Sequence, residues 1–308
     1  MKSDRKASLP HEGRDLVADY GRARLLRCGR CGLVFSDLYQ EGFEPQALYQ
    51  DFYKNEIPVR FASGLEPILK LFRLYRALKV ATTAVGARTI LDIGCGTGYL
   101  LYFLKKFFGY RRTAGTQLSE KACLFARNRL GLEVYFNDLL ELPLEDGSFE
   151  LITIFHVLEH VVNPEAYLSR SRRLLRKGGR LFIEVPNFQS WSRALSGRYW
   201  LGLDLDHHLH FFTPGTLTAL LGKLGFSVRR VHTFSLEYST FISVQSLVSL
   251  LTGTDGLIFE SLQSGRFDAR LIFHGLLFLL LAPFCLLVNL ALYFTRRGEV
   301  LFIAAQNG

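Results

Sequence analysis

Between Thr89 and Val185, short apolar runs alternate with segments whose apolar residues recur every three or four positions. Such alternation predicts a mostly parallel sheet covered by helices on both faces. Strands are expected over Thr89 to Ile93, Thr113 to Gln117, Leu132 to Phe136, Phe149 to Phe155 and Arg180 to Val185, with helices over Tyr99 to Phe108, Ser119 to Leu130 and Pro164 to Arg176. An amphipathic helix from Leu65 to Val85 leads in, with Ile68, Leu69, Phe72, Tyr75 and Leu78 at helical spacing and Lys70, Arg73, Arg76 and Lys79 interleaved. After Pro186 the pattern loosens through Trp200, then resumes with a helix, Pro214 to Leu224, and a strand, Phe226 to Val231. Glu299 to Gln306 supplies a last strand, so the pattern specifies a seven-stranded doubly wound α/β domain over residues 61–239 and 298–308.

Two flanking regions break this pattern. Residues 1–60 are turn-rich, with Gly13, Gly21, Gly29, Gly32, Gly42, Pro45 and Pro58 interrupting any long periodic element, and read as a small cap. Residues 240–297 form an apolar insertion, within which Leu271 to Phe294 runs almost without charge. That stretch is long enough to span a bilayer, which takes about 20 residues. A single crossing, however, strands Glu299 to Gln306 on the far side from its sheet. Arg266 and Arg270 before the stretch and Arg296 and Arg297 after it also give no charge asymmetry to orient one crossing. Pro283 is expected to break the helix into two arms of about twelve residues, each reaching only about 18 Å. The expectation is a re-entrant or interface-lying hairpin on the cytoplasmic face of a membrane, with the run Phe241 to Leu251 beside it. A helical pair buried against the domain or in a dimer interface is the other reading.

Composition narrows the partners. The 308 residues are 49% hydrophobic and 21% charged, as expected of one sizeable core with appendages. The formal charge of +9 comes from arginines spread over the whole chain, which suits an anionic surface or acidic ligand. No basic stretch is interleaved with stacking aromatics, so nucleic acid is not an expected partner. Five cysteines, unevenly placed, make no disulfide framework and point to a reducing compartment. The first thirty residues contain no apolar core of signal-peptide type, and a cytoplasmic location is expected.

The chemistry concentrates in Asp92-Ile93-Gly94-Cys95-Gly96-Thr97-Gly98, at the carboxyl end of an apolar strand and the start of a helix, where open α/β sheets bind ligands. Its spacing is G-x-G-x-G with an acid two residues before the first glycine, a loop suited to a compact amino-acid moiety. Further along stand Leu142-Pro143 with Phe149-Glu150, then Val157-Leu158-Glu159-His160, then Leu175-Arg176-Lys177-Gly178-Gly179. In this order the motifs resemble those of class I S-adenosylmethionine-dependent methyltransferases, from about Leu65 to Lys223, and look closest to the group that includes the ubiquinone-pathway O-methyltransferases. The resemblance implies a Rossmann-like fold and S-adenosylmethionine as cofactor. It implies that Asp92, Gly94, Cys95, Gly96, Thr97 and Gly98 hold the methionine end, that Asp138 and Leu139 meet the adenine, and that Phe155 and His156 line the methyl side. Where relatives carry an acid for both ribose hydroxyls, Thr116-Gln117-Leu118-Ser119 offers the neutral Gln117, a loss on the order of 1–2 kcal/mol. That substitution keeps open a rival reading, a membrane-associated protein that binds the cofactor without catalysis.

Three further clusters have two readings each. His156-Val157-Leu158-Glu159-His160 matches the H-x-x-E-H string of inverted zinc proteases, yet after a buried-type strand its residues read as the start of a helix lining the site mouth. The resembling O-methyltransferases have a carboxylate-rich version here, which makes a divalent ion the intermediate reading; no metal ligand is assigned. Asp206-His207-His208-Leu209-His210-Phe211-Phe212 falls where the resemblance places a His-Leu-x-His-Phe run over the active site. His208 and His210, with His160, are the candidate bases for O-methylation, or they brace a loop. Cys28-Gly29-Arg30-Cys31 looks like half of a zinc knuckle, and with no second Cys-x-x-Cys upstream it reads as a metal-free remnant. The expected acceptor is small or lipid-linked, a lipid-linked sugar or quinone-like lipid. Oligomeric state is not legible.

Overall fold

The computed structural model describes residues 14–37, 64 and 66–308. The domain is built on seven strands: β4 (Thr89–Ile93), β5 (Arg112–Gln117), β6 (Glu133–Phe136), β7 (Phe149–Phe155), β8 (Leu175–Pro186), β10 (Phe226–His232) and β11 (Val300–Asn307). They pair in the order β10-β11-β8-β7-β4-β5-β6. The five from β6 to β8 run parallel, whereas β11 lies antiparallel between β8 and β10. From β4 the chain steps outward to β5 and β6, then returns to β7 on the other side of β4. That reversal opens a crevice at the carboxyl ends of β4, β5 and β7.

Helices α1 (Glu66–Thr83), α2 (Tyr99–Phe107) and α3 (Glu120–Leu130) cover β4 to β6, and α4 (Pro164–Leu174) and α6 (Pro214–Lys223) lie on the opposite face. Their ends follow local chemistry. Ser119 caps α3 by accepting from Ala122 N, Asn163 caps α4 ahead of Pro164, and Thr213 and Thr216 form a reciprocal box before α6. One expected boundary moves: residues 175–179 lie in β8, with Gly178 at φ 74°, because an irregularity in the β7/β8 register absorbs the two glycines within the strand.

The described part of the cap is more regular than its turn-rich sequence suggests. β1 (Arg14–Asp19), β2 (Arg24–Cys28) and β3 (Val34–Ser36) form an antiparallel sheet that β9 (His210–Phe211) completes. Pairing of Val34 with Phe211 and Phe35 with His210 ties the cap to the segment after β8. Beneath it, Phe188, Trp200, Leu203, Leu205 and the short helix α5 (Trp191–Ser196) fill the region where periodicity was lost. Residues 1–13 and 38–60 of the expected cap lie outside the described residues.

The insertion comprises α7 (Ser239–Thr252), α8 (Leu257–Ser264) and α9 (Arg270–Ala291). Here the expected break at Pro283 is corrected: α9 continues through it, with the proline ring on the exposed side. Proline removes one backbone bond, and packing of the buried His274, Cys285 and Asn289 on both sides of it keeps the helix whole.

Glu299, just before β11, is fully buried. It accepts bonds from Ser192 Oγ at 2.7 Å and Trp200 Nε1 at 3.3 Å, joining α5 and the cap-side core to the last strand. Burial pushes its carboxyl from an ordinary 4.5 up to about 7, against those hydrogen bonds. A pKa raised on folding adds stability that is full below the unfolded value and is lost as pH rises through the folded one. Glu299 is therefore expected to lower the melting temperature progressively from about pH 4.5 to 7. Glu299→Gln should flatten that slope in differential scanning calorimetry; parallel pH profiles for the two proteins would refute it.

Candidate active site

The glycine loop turns because its glycines occupy left-handed backbone, with φ of 73° at Gly94, 56° at Gly96 and 83° at Gly98. At Gly94 there is also no room: a Cβ would lie 2.3 Å from Val157 Cγ2, so the turn after β7 packs directly on the loop. Gly94 N and Cys95 N both donate to Thr116 O at 3.0 Å, which folds the loop back over the end of β5. Asp92 is buried, and Thr153 Oγ1 donates to its Oδ1 at 2.6 Å. Burial pushes the Asp92 carboxyl up to about 6, against the Thr153 bond and the guanidinium groups of Arg76 and Arg73.

A pocket of about 450 Å³ opens over this loop. It brings together Asp92, Gly94, Cys95, Gly96 and Thr97 with Gln117 and Leu118 from the end of β5, Asp138 and Leu139 after β6, and Phe155, His156 and His160 after β7. Gly98 is not in its wall and serves as the N-cap of α2. Two expected polar contacts are partly committed. Gln117 Oε1 accepts from Leu118 N at 2.7 Å and Ser119 N at 3.1 Å, and Asp138 accepts from Leu140 N at 2.8 Å and from the Tyr167 hydroxyl.

Among the described histidines, only His156 and His160 line the pocket. His208 stands behind His160, ring centroids 4.7 Å apart, and His210 is buried in β9, its ring stacked near Phe212. Their loop is pinned by Leu209 N and His210 N donating to Glu159 O at 2.8 and 3.0 Å, and by His208 Nδ1 at 3.0 Å from Gly202 O. For both residues this geometry favours bracing over contact with an acceptor. The expected helix at 157–160 is a turn instead, with His156 at φ 55° and α4 starting only at Pro164. Glu159, His160 and His208 offer ligand atoms within 4.8 Å of one another, the one grouping of three metal-capable side chains among the described residues.

Pattern reading missed the far wall. Arg73 and Arg76 of α1, with Tyr238 at the start of the insertion, line the pocket opposite the glycine loop. Arg76 bonds Glu184 of β8 at 3.1 Å and also Glu237, and Lys79 reaches Glu184 at 3.1 Å. The Tyr238 ring lies 4.5 Å from that of His156 and 5.4 Å from the Arg76 guanidinium. Burial raises the Tyr238 phenol, but Arg73, Arg76 and His156 outweigh it and bring it down to about 8. For His156 burial disfavours charge, yet Glu159 and Glu184 carry the imidazole up to about 10. A sequence signal for Arg76 exists, because it shares the buried stripe of α1 with Ala77 and Val80. Tyr238 has none, being distant in sequence from every motif.

A family model described as a methyltransferase domain matches residues 63–231, more than half of the chain. The chain is 30% identical over 145 residues to a probable S-adenosylmethionine-dependent methyltransferase of Mycolicibacterium smegmatis, covering 46% of this chain and 52% of that one. It is 32% identical over 161 residues to a ubiquinone biosynthesis O-methyltransferase of a Ruegeria species, covering 49% and 64%. The chain thus spans about half to two thirds of the length of these curated relatives. In fold it is similar to a Thermotoga maritima S-adenosylmethionine-dependent methyltransferase, possibly a histamine N-methyltransferase (TM-score 0.50, 18% identity, 86% of this chain and 100% of that one). It is also similar to the [4+2]-cyclase SpnF (TM-score 0.53, 16% identity, 86% and 97%). Glycine loop, strand order and family match together identify the chain as a member of the class I S-adenosylmethionine-dependent methyltransferases.

Proposed function

We propose that this chain transfers a methyl group from S-adenosylmethionine to an oxygen of a small, membrane-associated acceptor, a lipid-linked sugar or a quinone-like lipid. The pocket fits the cofactor: the glycine loop from Gly94 to Gly96 lines it largely with backbone, and buried Asp92 offers a carboxylate to a cationic amine. When bound, S-adenosylmethionine supplies an electrophilic methyl carbon on a positively charged sulfur. In this reading Asp92, Gly94 and Gly96 hold the methionine end, Asp138 and Leu139 the adenine, and Phe155 and His156 bound the methyl side. Gln117, its oxygen already engaged, presents its amide nitrogen to the ribose. Transfer from a sulfonium depends chiefly on in-line positioning, so the enclosing walls do most of what the chemistry asks of the protein.

The membrane part of the reading rests on one observation, that α9 is inside out. Its polar residues His274 and Asn289 are buried at 3% and 0% exposure, while Leu279, Leu280 and Leu287 are 72%, 73% and 67% exposed. Asn289 accepts from Trp191 Nε1 at 3.2 Å and donates to Ser243 Oγ at 2.9 Å, and His274 is 2.8 Å from Thr254 Oγ1. A helix facing water shows the opposite pattern. The exposed arginines Arg266, Arg270, Arg296 and Arg297 flank both ends of this face, as suits a helix lying at an anionic lipid surface. β10 and β11 pair with each other, so the insertion leaves and re-enters the same sheet edge-on, which favours an in-plane anchor over a crossing.

Full-length protein is expected to float with vesicles of phosphatidylcholine and phosphatidylglycerol. Leu279→Glu combined with Leu287→Glu should weaken flotation at least tenfold, at roughly 1.5–3 kcal/mol per leucine, without changing S-adenosylhomocysteine binding. Wild-type protein that stays soluble without detergent and ignores vesicles would sink the anchor; light scattering would then show whether α9 pairs two copies. With labelled S-adenosylmethionine and a membrane lipid extract, label should enter the organic phase. Tight cofactor binding with no transfer to any lipid would favour the non-catalytic reading that Gln117 suggests.

Calorimetry of the cofactor alone gives two more outcomes. Gln117→Glu should tighten binding by roughly fivefold to thirtyfold, about 1–2 kcal/mol, because one carboxylate oxygen can keep the Leu118 and Ser119 amides while the other takes ribose hydroxyls; equal or weaker affinity contradicts this. Affinity should also fall as pH drops below about 6, where Asp92 takes up its proton, and the fall should vanish in Asp92→Asn.

A further inference from the structure

Behind the pocket wall, side chains from two distant segments converge on a buried point that methyl transfer does not use. Glu159 and His160 lie in the turn after β7, and His208 comes from the loop before β9. The histidines are already oriented. His160 Nδ1 lies 2.9 Å from His207 O and His208 Nδ1 lies 3.0 Å from Gly202 O. A carbonyl only accepts, so in each ring Nδ1 carries the proton and Nε2 carries the lone pair, the arrangement that backbone carbonyls impose on metal-binding histidines.

The third member, Glu159, meets positive charge but no hydrogen-bond donor. Glu159 is 1% exposed, and neither carboxylate oxygen receives a hydrogen bond from any described residue. His156 Nδ1 at 3.6 Å and His160 Nε2 at 3.9 Å are its nearest nitrogens. His156 thus supplies charge without a hydrogen bond, and burial leaves both carboxylate oxygens able to ligate a metal ion.

We infer that Glu159, His160 and His208 bind one divalent transition-metal ion of the zinc class, with a coordination position left toward the pocket for an oxygen donor. Two imidazoles and one carboxylate are a ligand set for zinc or cobalt, whereas magnesium and calcium prefer all-oxygen shells. Bonds of about 2.0–2.2 Å hold ligand atoms about 3.4 Å apart in a tetrahedron, so small side-chain rotations close a set that now spans 4.8 Å. His160 is part of the pocket wall, which brings the site next to the pocket. This is not the H-x-x-E-H string of the sequence, since His156 Nε2 is directed to Glu184 at 3.3 Å. The ion would fasten the 202–210 loop to the turn after β7, beside the two backbone bonds that Glu159 O accepts from Leu209 and His210.

The test needs no acceptor, so its outcome is independent of the proposed reaction. Chelator-stripped full-length protein, dialysed against micromolar Zn²⁺ or Co²⁺, is expected to retain about one ion per chain by elemental analysis. His208→Asn and Glu159→Gln should each cut occupancy at least tenfold. Cobalt should give a visible spectrum without a thiolate charge-transfer band, and joint Cys28→Ser and Cys31→Ser substitution should leave the stoichiometry unchanged. Added Zn²⁺ should slow amide hydrogen exchange across residues 202–210 of the unsubstituted protein, a readout that survives if the variants fail to fold. No stoichiometric ion, an ion retained by both variants, thiolate ligation, or unaltered exchange in the loop would each overturn the inference.

Discussion

One buried guanidinium holds the site together. Arg76, on the inward stripe of α1, meets Glu184 near the end of β8 and Glu237 at the entrance to the insertion, and its plane lies between the rings of Phe155 and Tyr238. Three segments far apart in sequence are thereby fixed around one pocket. Removing one partner from a buried cluster of this kind costs about 3–5 kcal/mol, because the charge left behind stays desolvated. Burial disfavours the Glu184 carboxylate, but Lys79 and Arg76 outweigh it and hold the group well below its usual range, so the cluster stays ionised. Glu159 and Glu184 in turn keep His156 charged beside the methyl-side wall.

The same cluster explains how the insertion relates to the pocket. Glu237 and Tyr238 directly precede α7, so the apolar layer starts at the pocket wall itself. From there the chain travels out along α7, returns along α9 and enters β11 beside β10. Packing between α7 and α9 combines an apolar cluster around Val244, Val248 and Cys285 with buried polar bonds, in which Ser243, Asn289, Thr254 and His274 are bonded to one another or to the domain. Every buried polar group so satisfied lets the opposite face be purely apolar without weakening the hairpin.

Local rules account for much of the domain. The Asp92 to Gly98 loop, the capped helices and the strand alternation were legible because each depends on residues adjacent in sequence: glycines at left-handed positions, Ser119, Asn163 and Thr213 as caps, and runs of period two or 3.6. The position of the last strand followed too, since an apolar run at 300–307 that joins the sheet forbids a single membrane crossing before it. Where expectation failed, a tertiary contact overrode local preference. Pro283 did not end α9 because α7 holds the helix on both sides of it, and His210 did not reach the pocket because Phe35 claimed its backbone for a strand.

By itself, then, the sequence determined the fold class, the cofactor loop and the existence of an apolar insertion, all features written in short-range spacing. Only the tertiary structure decided which polar residues meet. Arg76 with Glu184 and Glu237, Tyr238 with His156, and Glu159 and His160 with His208 join positions tens to well over a hundred residues apart. Their partnership depends on desolvation and on directional bonds made after the chain has closed, and no periodicity records such bonds.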